Sequence, residues 1–241
     1  MNNTKKLLML SACFYLMPGH AEETARAVIS SLDRTTISTE VAGKILYLPS
    51  GEGDSFKKGA VLAKIDCDLY RAQKRKILFQ KNIAYQQFKK NEQLNKLNSI
   101  GAFEVSISKE EYNKQIAELD IVSVNVKRCK IYAPFTGRVV EKLANQYQIA
   151  KAQQEILEIV GTGNIEAKIV VDATWLSWLK KGDGLTLVID ETQTEIKATI
   201  NEIGAVVDPA SQTVLVRANL IKPYDNIAPG MSGTAKFNSE K

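Results

Sequence analysis

Histidine is almost missing from this chain, which has one in 241 residues beside three cysteines, four methionines and two tryptophans. No apolar run reaches the ~18 residues that would cross a bilayer as a helix. Between Cys67 and Lys130 there is no proline and a single glycine, Gly101. The overall balance, 44% hydrophobic and 24% charged, excludes collagen-like, disordered and polytopic membrane chains.

The one histidine and three of the four methionines lie at the start. Lys5 and Lys6 precede an apolar stretch from Leu7 to Met17, Pro18 breaks it, and Gly19-His20-Ala21 places small residues at −3 and −1 of a cleavage site. This predicts a signal peptide over 1–21, cleaved after Ala21, and export. The alternative is a lipoprotein box, Leu10-Ser11-Ala12-Cys13, which anchors the chain through an acylated Cys13. That reading shortens the apolar run to about six residues, below the ~7–15 of ordinary leaders. Removing 21 residues from 241 leaves 220, with no histidine, one methionine (Met231) and two cysteines, Cys67 and Cys129. Such a chain holds no Ser–His or Cys–His relay and no imidazole or thioether metal site. We therefore expect no enzyme, no catalytic residue, no cofactor and no metal. Exported cysteines pair by default.

Three textures follow. From Ala25 to Asp66, short β-type runs alternate with turns such as Pro49-Ser50-Gly51-Glu52-Gly53-Asp54. From Cys67 to Lys130 the pattern is helical, interrupted at Asn98-Ser99-Ile100-Gly101-Ala102, and predicts two antiparallel helices over 67–98 and 106–129. Tyr112, Ile116, Leu119, Val122 or Ser123, and Val126 make an apolar stripe on the second; Tyr70, Ile77, Ala84, Phe88 and Leu94 make a looser one on the first. From Ile131 onward short strands return. Five are predicted, Ile165–Val171, Leu185–Ile189, Glu195–Ile203, Thr213–Leu220 and Ser232–Phe237, with a short helix over 172–182 capped by Asp172 or Thr174 and ended by Gly182. Trp175 and Trp178 are read as core or barrel-plug residues.

The β segments on either side of the helices repeat each other. Gly43-Lys44-Ile45 matches Gly137-Arg138-Val139, and Leu62 with Ile65 matches Ile156 with Ile159, each at an offset of 94. Between these anchors a one-residue slip is expected, with Gly59 opposite Ala152 or Gln153. Half-motifs of this size cannot each bury a core, so they are expected to pair as one sandwich. Gly43 and Gly137 mark a positive φ or a close backbone approach.

This order of parts resembles the periplasmic adaptor (membrane fusion protein) family, in the manner of HlyD-like efflux subunits. The resemblance rests on Val41-Ala42-Gly43-Lys44-Ile45, Gly53-Asp54-Ser55-Phe56-Lys57-Lys58-Gly59 and Leu62-Ala63-Lys64-Ile65-Asp66 before the helices. It continues in Ile131-Tyr132-Ala133-Pro134-Phe135-Thr136-Gly137-Arg138-Val139, Val207-Asp208-Pro209-Ala210-Ser211-Gln212-Thr213 and Ala228-Pro229-Gly230-Met231-Ser232-Gly233. It implies a mainly β chain with a long α-helical hairpin: a lipoyl-like barrel-sandwich hybrid interrupted by an antiparallel coiled-coil hairpin, then a small β-barrel. The implied boundaries are 22–66 for the first half with its N-terminal strand, 67–130 for the hairpin, 131–161 for the second half and 162–241 for the barrel. It implies an adaptor bridging an inner-membrane transporter, of RND or ABC type, and an outer-membrane channel, working as a homo-oligomeric ring. The alternative is a periplasmic lipoyl- or biotinyl-like carrier or small-molecule binding module. A carrier needs a modifiable lysine where this chain holds some 60 residues of helix.

Cys67 opens the outgoing helix and Cys129 closes the returning one, so antiparallel helices bring them together, and a disulfide is predicted at the hairpin root. Residues 67–130 carry 13 Lys/Arg against 7 Asp/Glu. Without interleaved aromatics or a groove-entering motif this is a solvated helix face or a surface for acidic neighbours, and nucleic acid is not a partner. At the tip, channel-docking adaptors place an Arg, an aliphatic residue, a Leu and a later Ser. Leu94, Leu97 and Ser106 fit those places, and Gln93 stands where the Arg would be.

Overall fold

The computed structural model describes residues 23–49, 51–221 and 226–237; the predicted leader, its cleavage point and Cys13 lie outside them. The chain opens with β1 (Glu23–Ser31), β2 (Arg34–Ser38), β3 (Gly43–Tyr47), β4 (Ser55–Phe56) and β5 (Val61–Ile65). Two long helices follow, α1 (Asp68–Lys96) and α2 (Ala102–Arg128). Next come β6 (Lys130–Tyr132), β7 (Gly137–Lys142), β8 (Ile149–Ala150), β9 (Glu155–Gly161) and β10 (Ile165–Asp172). The last four strands are β11 (Gly184–Ile189), β12 (Glu195–Asp208), β13 (Thr213–Leu220) and β14 (Ser232–Phe237). The described residues divide into two compact units, one of 29–166 with 226–231, the other of 23–28, 167–221 and 232–237.

The first unit is a sandwich of two four-stranded sheets, ordered β2-β9-β7-β4 and β6-β5-β3-β8. Each sheet takes two strands from before the helices and two from after them, so neither half-motif has a sheet of its own. Ile45, Leu62, Ala63, Ile156, Leu157 and Ile159 fill the space between the sheets.

The internal repeat is visible in the strand register. Ile45 sits opposite Ile65, and Val139, 94 residues on, sits opposite Ile159. Ser55 pairs with Arg138 from the other half, and Ile149 pairs with Lys44 in the reciprocal exchange. The offset holds through the turns as well. The Gly59 N–H donates to the Ala133 carbonyl at 2.8 Å, and the Gln153 N–H donates to the Thr39 carbonyl at 2.6 Å. Gln153 is thus the counterpart of Gly59, and the slip expected between the anchors does not occur.

Matching turns require matching backbone, and the second half meets that demand without glycine. Gly53 and Gly59 have φ of 83° and 80°, and their counterparts Tyr147 and Gln153 stand at 69° and 64°. A side chain in this left-handed region costs ~1–2 kcal/mol, against ~0.5–1 kcal/mol of extra unfolded-state entropy for glycine. Gln153 is exposed, so Gln153→Gly is expected to raise stability by ~0.5–1 kcal/mol, read as a higher urea midpoint at unchanged m-value.

Gly43 and Gly137 occupy equivalent places in the repeat, and close approach is their reason. Neither has a positive φ. A Cβ on Gly137 would run into the Val160 carbonyl oxygen, and one on Gly43 would lie 2.7 Å from Ile65 Cγ2.

The second unit is a closed six-stranded barrel, ordered β1-β10-β13-β12-β11-β14. Alternate residues point inward, giving a core of Ile169, Leu187, Ile189, Ile196, Val216 and Ala235. The five strands predicted for this region are present, and the sixth differs from expectation. Residues 23–28, assigned by sequence to the first sandwich half, run antiparallel to β14, with Thr24 opposite Lys236 and Ala27 opposite Gly233. Five strands would leave two open edges, and the N-terminal strand closes them. Conversely, 226–231, assigned to the barrel span 162–241, belongs to the sandwich unit, where the Ile29 N–H donates to the Met231 carbonyl at 2.8 Å.

The helix expected over 172–182 is only a 3₁₀ turn, Ala173–Ser177, capped by Asp172, whose carboxylate accepts from the Thr174 N–H at 2.8 Å. The short turn lets both tryptophans reach one ring. Trp175 and Trp178 meet Phe237 edge-on, with centroids 5.3 and 6.3 Å away. Both rings are half-buried against that barrel-core phenylalanine.

Candidate functional site

The helical hairpin has a fixed root and an apolar tip. At the root Cys67 and Cys129 form a disulfide with a Cα–Cα distance of 5.8 Å, and both residues are buried. Tyr70 donates its hydroxyl hydrogen to the Ala42 carbonyl at 3.2 Å, and Arg128 pairs with Glu40 at 2.9 Å. The Ile65 N–H donates to the Cys129 carbonyl at 2.8 Å, continuing the sheet ladder up to the helix end.

From the disulfide outward one set of buried and half-buried positions recurs at intervals of three and four. On α1 they are Tyr70, Lys74, Ile77, Lys81, Ala84, Phe88, Asn91 and Asn95; on α2, in reverse, Val126, Val122, Leu119, Gln115, Tyr112, Ser108 and Val105. A mean spacing of 3.5 is the coiled-coil seam. Phe88 stacks on Tyr112 at 6.4 Å, and Tyr85 meets the same ring at 5.2 Å. The seam is unusually polar because Lys74, Lys81, Asn91 and Gln115 occupy core places, which is why the α1 stripe looks loose in the sequence. The disulfide is the seam's first layer.

At the far end, about 40 Å away at 1.5 Å per residue over a 29-residue helix, the turn is tightly built. Asn98 takes a left-handed φ of 53°. Its N–H donates to Asn95 and the Ser99 N–H donates to Leu94, both at 2.9 Å. This is a Schellman ending with Asn in place of glycine. The Asn95 side-chain amide donates to the Ile100 carbonyl at 2.9 Å, holding the turn onto the helix. α2 starts at Ala102, four residues before the expected 106. The signal is present in the chain: extended Gly101 serves as N-cap, and Glu104 at the third helical position folds back over it.

Of the residues predicted at the tip, Leu94 is half-buried under the turn, Leu97 is 73% exposed, and Ser106 is exposed one turn into α2. Gln93 is exposed beside them. The early start of α2 adds Phe103, and Ile107, inside the expected helix, is a second apolar residue that the sequence reading did not name. Phe103 is 73% exposed and Ile107 is 54% exposed. Leu97, Phe103 and Ile107 are thus three exposed large apolar side chains at the end of a charged hairpin.

Elsewhere the polar residues have structural work. Asp208 accepts from the Ser211 N–H and hydroxyl and from the Ala210 N–H, which holds its carboxyl below the usual range. Arg217 pairs instead with Glu202 at 3.3 Å. On α1, Lys89 bonds Glu92 at 2.9 Å, which lowers the Glu92 carboxyl and raises the lysine.

Comparison with known proteins agrees with this geometry. The family model for the RND MFP (membrane fusion protein), barrel-sandwich hybrid domain, matches residues 33–162. An uncharacterized protein of Haemophilus influenzae is 25% identical over 183 residues, covering 76% of this chain and 48% of its own length. The cobalt-zinc-cadmium resistance protein CzcB of Cupriavidus metallidurans is 22% identical over 219 residues, 83% of this chain and 41% of that protein. The chain thus spans less than half the length of these curated relatives. Among solved structures, a MacA-MexA chimeric protein carrying the Pseudomonas aeruginosa MexA α-hairpin domain superposes with a TM-score of 0.77 at 20% identity, covering 91% of this chain and 81% of that one. That likeness is one of fold. With a matched model over more than half its residues, on a sandwich interrupted by a helical hairpin, the chain belongs to the membrane fusion protein family of periplasmic adaptors.

Proposed function

We propose that this chain is an exported adaptor subunit that bridges an inner-membrane transporter and an outer-membrane channel in an efflux or secretion complex. The observation that carries this reading is the tip, where Leu97, Phe103 and Ile107 stand exposed on a hairpin whose root is covalently closed. A surface of this kind suits a protein partner in register with the helix ends. The sandwich is read as lipoyl-like, with the carrier's lysine-bearing turn replaced by α1 and α2, which favours bridging over group transfer. Its place of action is the periplasm, after cleavage following Ala21, or with Cys13 lipidated if the lipoprotein box is used.

Homo-oligomeric assembly as a ring is supported by the helix faces turned away from the seam. Phe79 and Ile83 on α1 and Ile121 and Val124 on α2 are exposed at positions opposite the core stripe. Apolar stripes on both outer faces suit copies packed side by side, α1 against the next copy's α2, in a heterologous interface that closes as a ring.

The test is co-purification of the channel from cells carrying Leu97→Ala with Phe103→Ala. Recovery is expected to fall at least tenfold at unchanged melting temperature, because neither side chain contributes to a core. Leu94→Ala is expected to weaken docking less and to cost stability as well, since Leu94 is half-buried. Full channel recovery by the double variant would refute the tip as the docking surface.

A further inference from the structure

The hairpin root carries a second feature that bridging does not use. A cavity of about 530 Å³ opens beside the disulfide, between the ends of α1 and α2 and strands β3, β5 and β6. Its apolar lining includes Leu46, Ile65, Val126 and both cysteines. Four cationic side chains, Lys64, Arg71, Lys127 and Lys130, complete it together with Tyr132, and no carboxylate is among the lining residues. Arg71 bonds Asp68, which neutralises one charge, and Lys64 lies 5.5 Å over the Tyr47 ring. Lys127 and Lys130 have no anionic partner among the described residues.

This combination is specific in its chemistry. The α1 N-terminus and the α2 C-terminus meet here with opposite dipoles, so their fields largely cancel and the side-chain charges set the potential. An apolar wall alone would take any greasy molecule, and a lysine cluster alone any anion. Leu46 and Tyr132 are exposed beside like charges that repel one another, and one ligand relieves both costs. The volume lies within the ~300–1,000 Å³ of small-molecule sites.

We infer that the hairpin root binds a soluble, single-chain amphiphile with an anionic head, its chain along Leu46, Ile65 and Val126 and its head against Lys127 and Lys130. The site stands independently of the bridging reading, and either can fail without the other.

The test is calorimetric titration of the full chain with laurate below its micelle concentration, beside dodecanol and dodecyltrimethylammonium of the same chain length. Laurate is expected to bind at least tenfold more tightly than either analogue, and to protect Lys127 and Lys130, but not Lys57 and Lys58, from amine acylation mapped by mass spectrometry. Lys127→Glu with Lys130→Glu is expected to weaken laurate at least tenfold, whereas Lys57→Glu with Lys58→Glu, the same change in net charge, leaves it within twofold. The acylation map uses the unaltered protein and so decides the matter even if a variant is unstable. Equal binding of the three amphiphiles, uniform protection, or equal losses in both charge reversals would overturn the site. Association with phosphatidylglycerol vesicles in place of monomeric laurate would overturn it too, by assigning the charges to a membrane surface.

Discussion

Replacing Cys67 and Cys129 together with alanine is expected to lower the stability of the sandwich unit by about 4 kcal/mol, a drop of ~10 °C in its transition. The bond closes a loop of 62 residues, and loop-closure entropy in the unfolded chain accounts for that figure. Two further costs add to it. Both sulfurs are buried in the sandwich core, so alanine leaves space beside Ile65 and Val126. The first layer of a seam that already holds two lysines would also lose its only covalent tie. The readout separates the units, because both tryptophans, Trp175 and Trp178, lie in the barrel and the long helices lie in the sandwich unit. The far-UV helical transition should move with reduction or with the double replacement, while the tryptophan fluorescence transition should not follow it. A helical transition unmoved by reductant would show that the seam alone holds the root.

The second large effect is expected at Gly137. Its added methyl in Gly137→Ala meets the Val160 carbonyl oxygen and, at 3.1 Å, the Gly161 Cα. Both are backbone atoms of β9, paired with β7 at that point, so the two strands must part. Overpacking of this kind costs ~1–3 kcal/mol, and the upper end applies because no side chain can rotate away. Gly43→Ala, at the equivalent place in the repeat, meets the Ile65 methyl at 2.7 Å and the Asp66 carbonyl at 3.1 Å. A side chain can yield part of that distance, so about half the loss is expected. The pair of urea midpoints checks the ordering, and a larger loss at Gly43 would contradict it.

The residues differ in how much of their role could be read before the structure. The cysteine pairing followed from position, since one cysteine opens and the other closes a helical segment that contains no other cysteine. The repeat at an offset of 94 was legible in four anchors, because glycine and inward-facing aliphatic residues are the positions a sheet constrains most. Its exact phase through the turns was not. Gln153 and Tyr147 carry side chains where glycine marks the same backbone in the first half, so only the backbone itself shows the correspondence. Phe103 was missed because the tip was read as loop up to 106. A glycine N-cap has no side chain to announce it, and Glu104 is its sole signature. The outlying strand was missed for a different reason. Residues 23–28 look like any half-buried strand, and which sheet needs a sixth member depends on strands 140 to 210 residues later.

The order of modules, the helical hairpin and its closing disulfide were determined by the sequence, because each rests on local pattern. Tertiary structure alone decided that β1 closes the barrel, that the two halves exchange strands in strict register, that two glycines exist for close approach, and that three apolar residues gather at the tip. Those facts concern which distant segments satisfy one another's hydrogen bonds and volumes, and no local pattern carries that information.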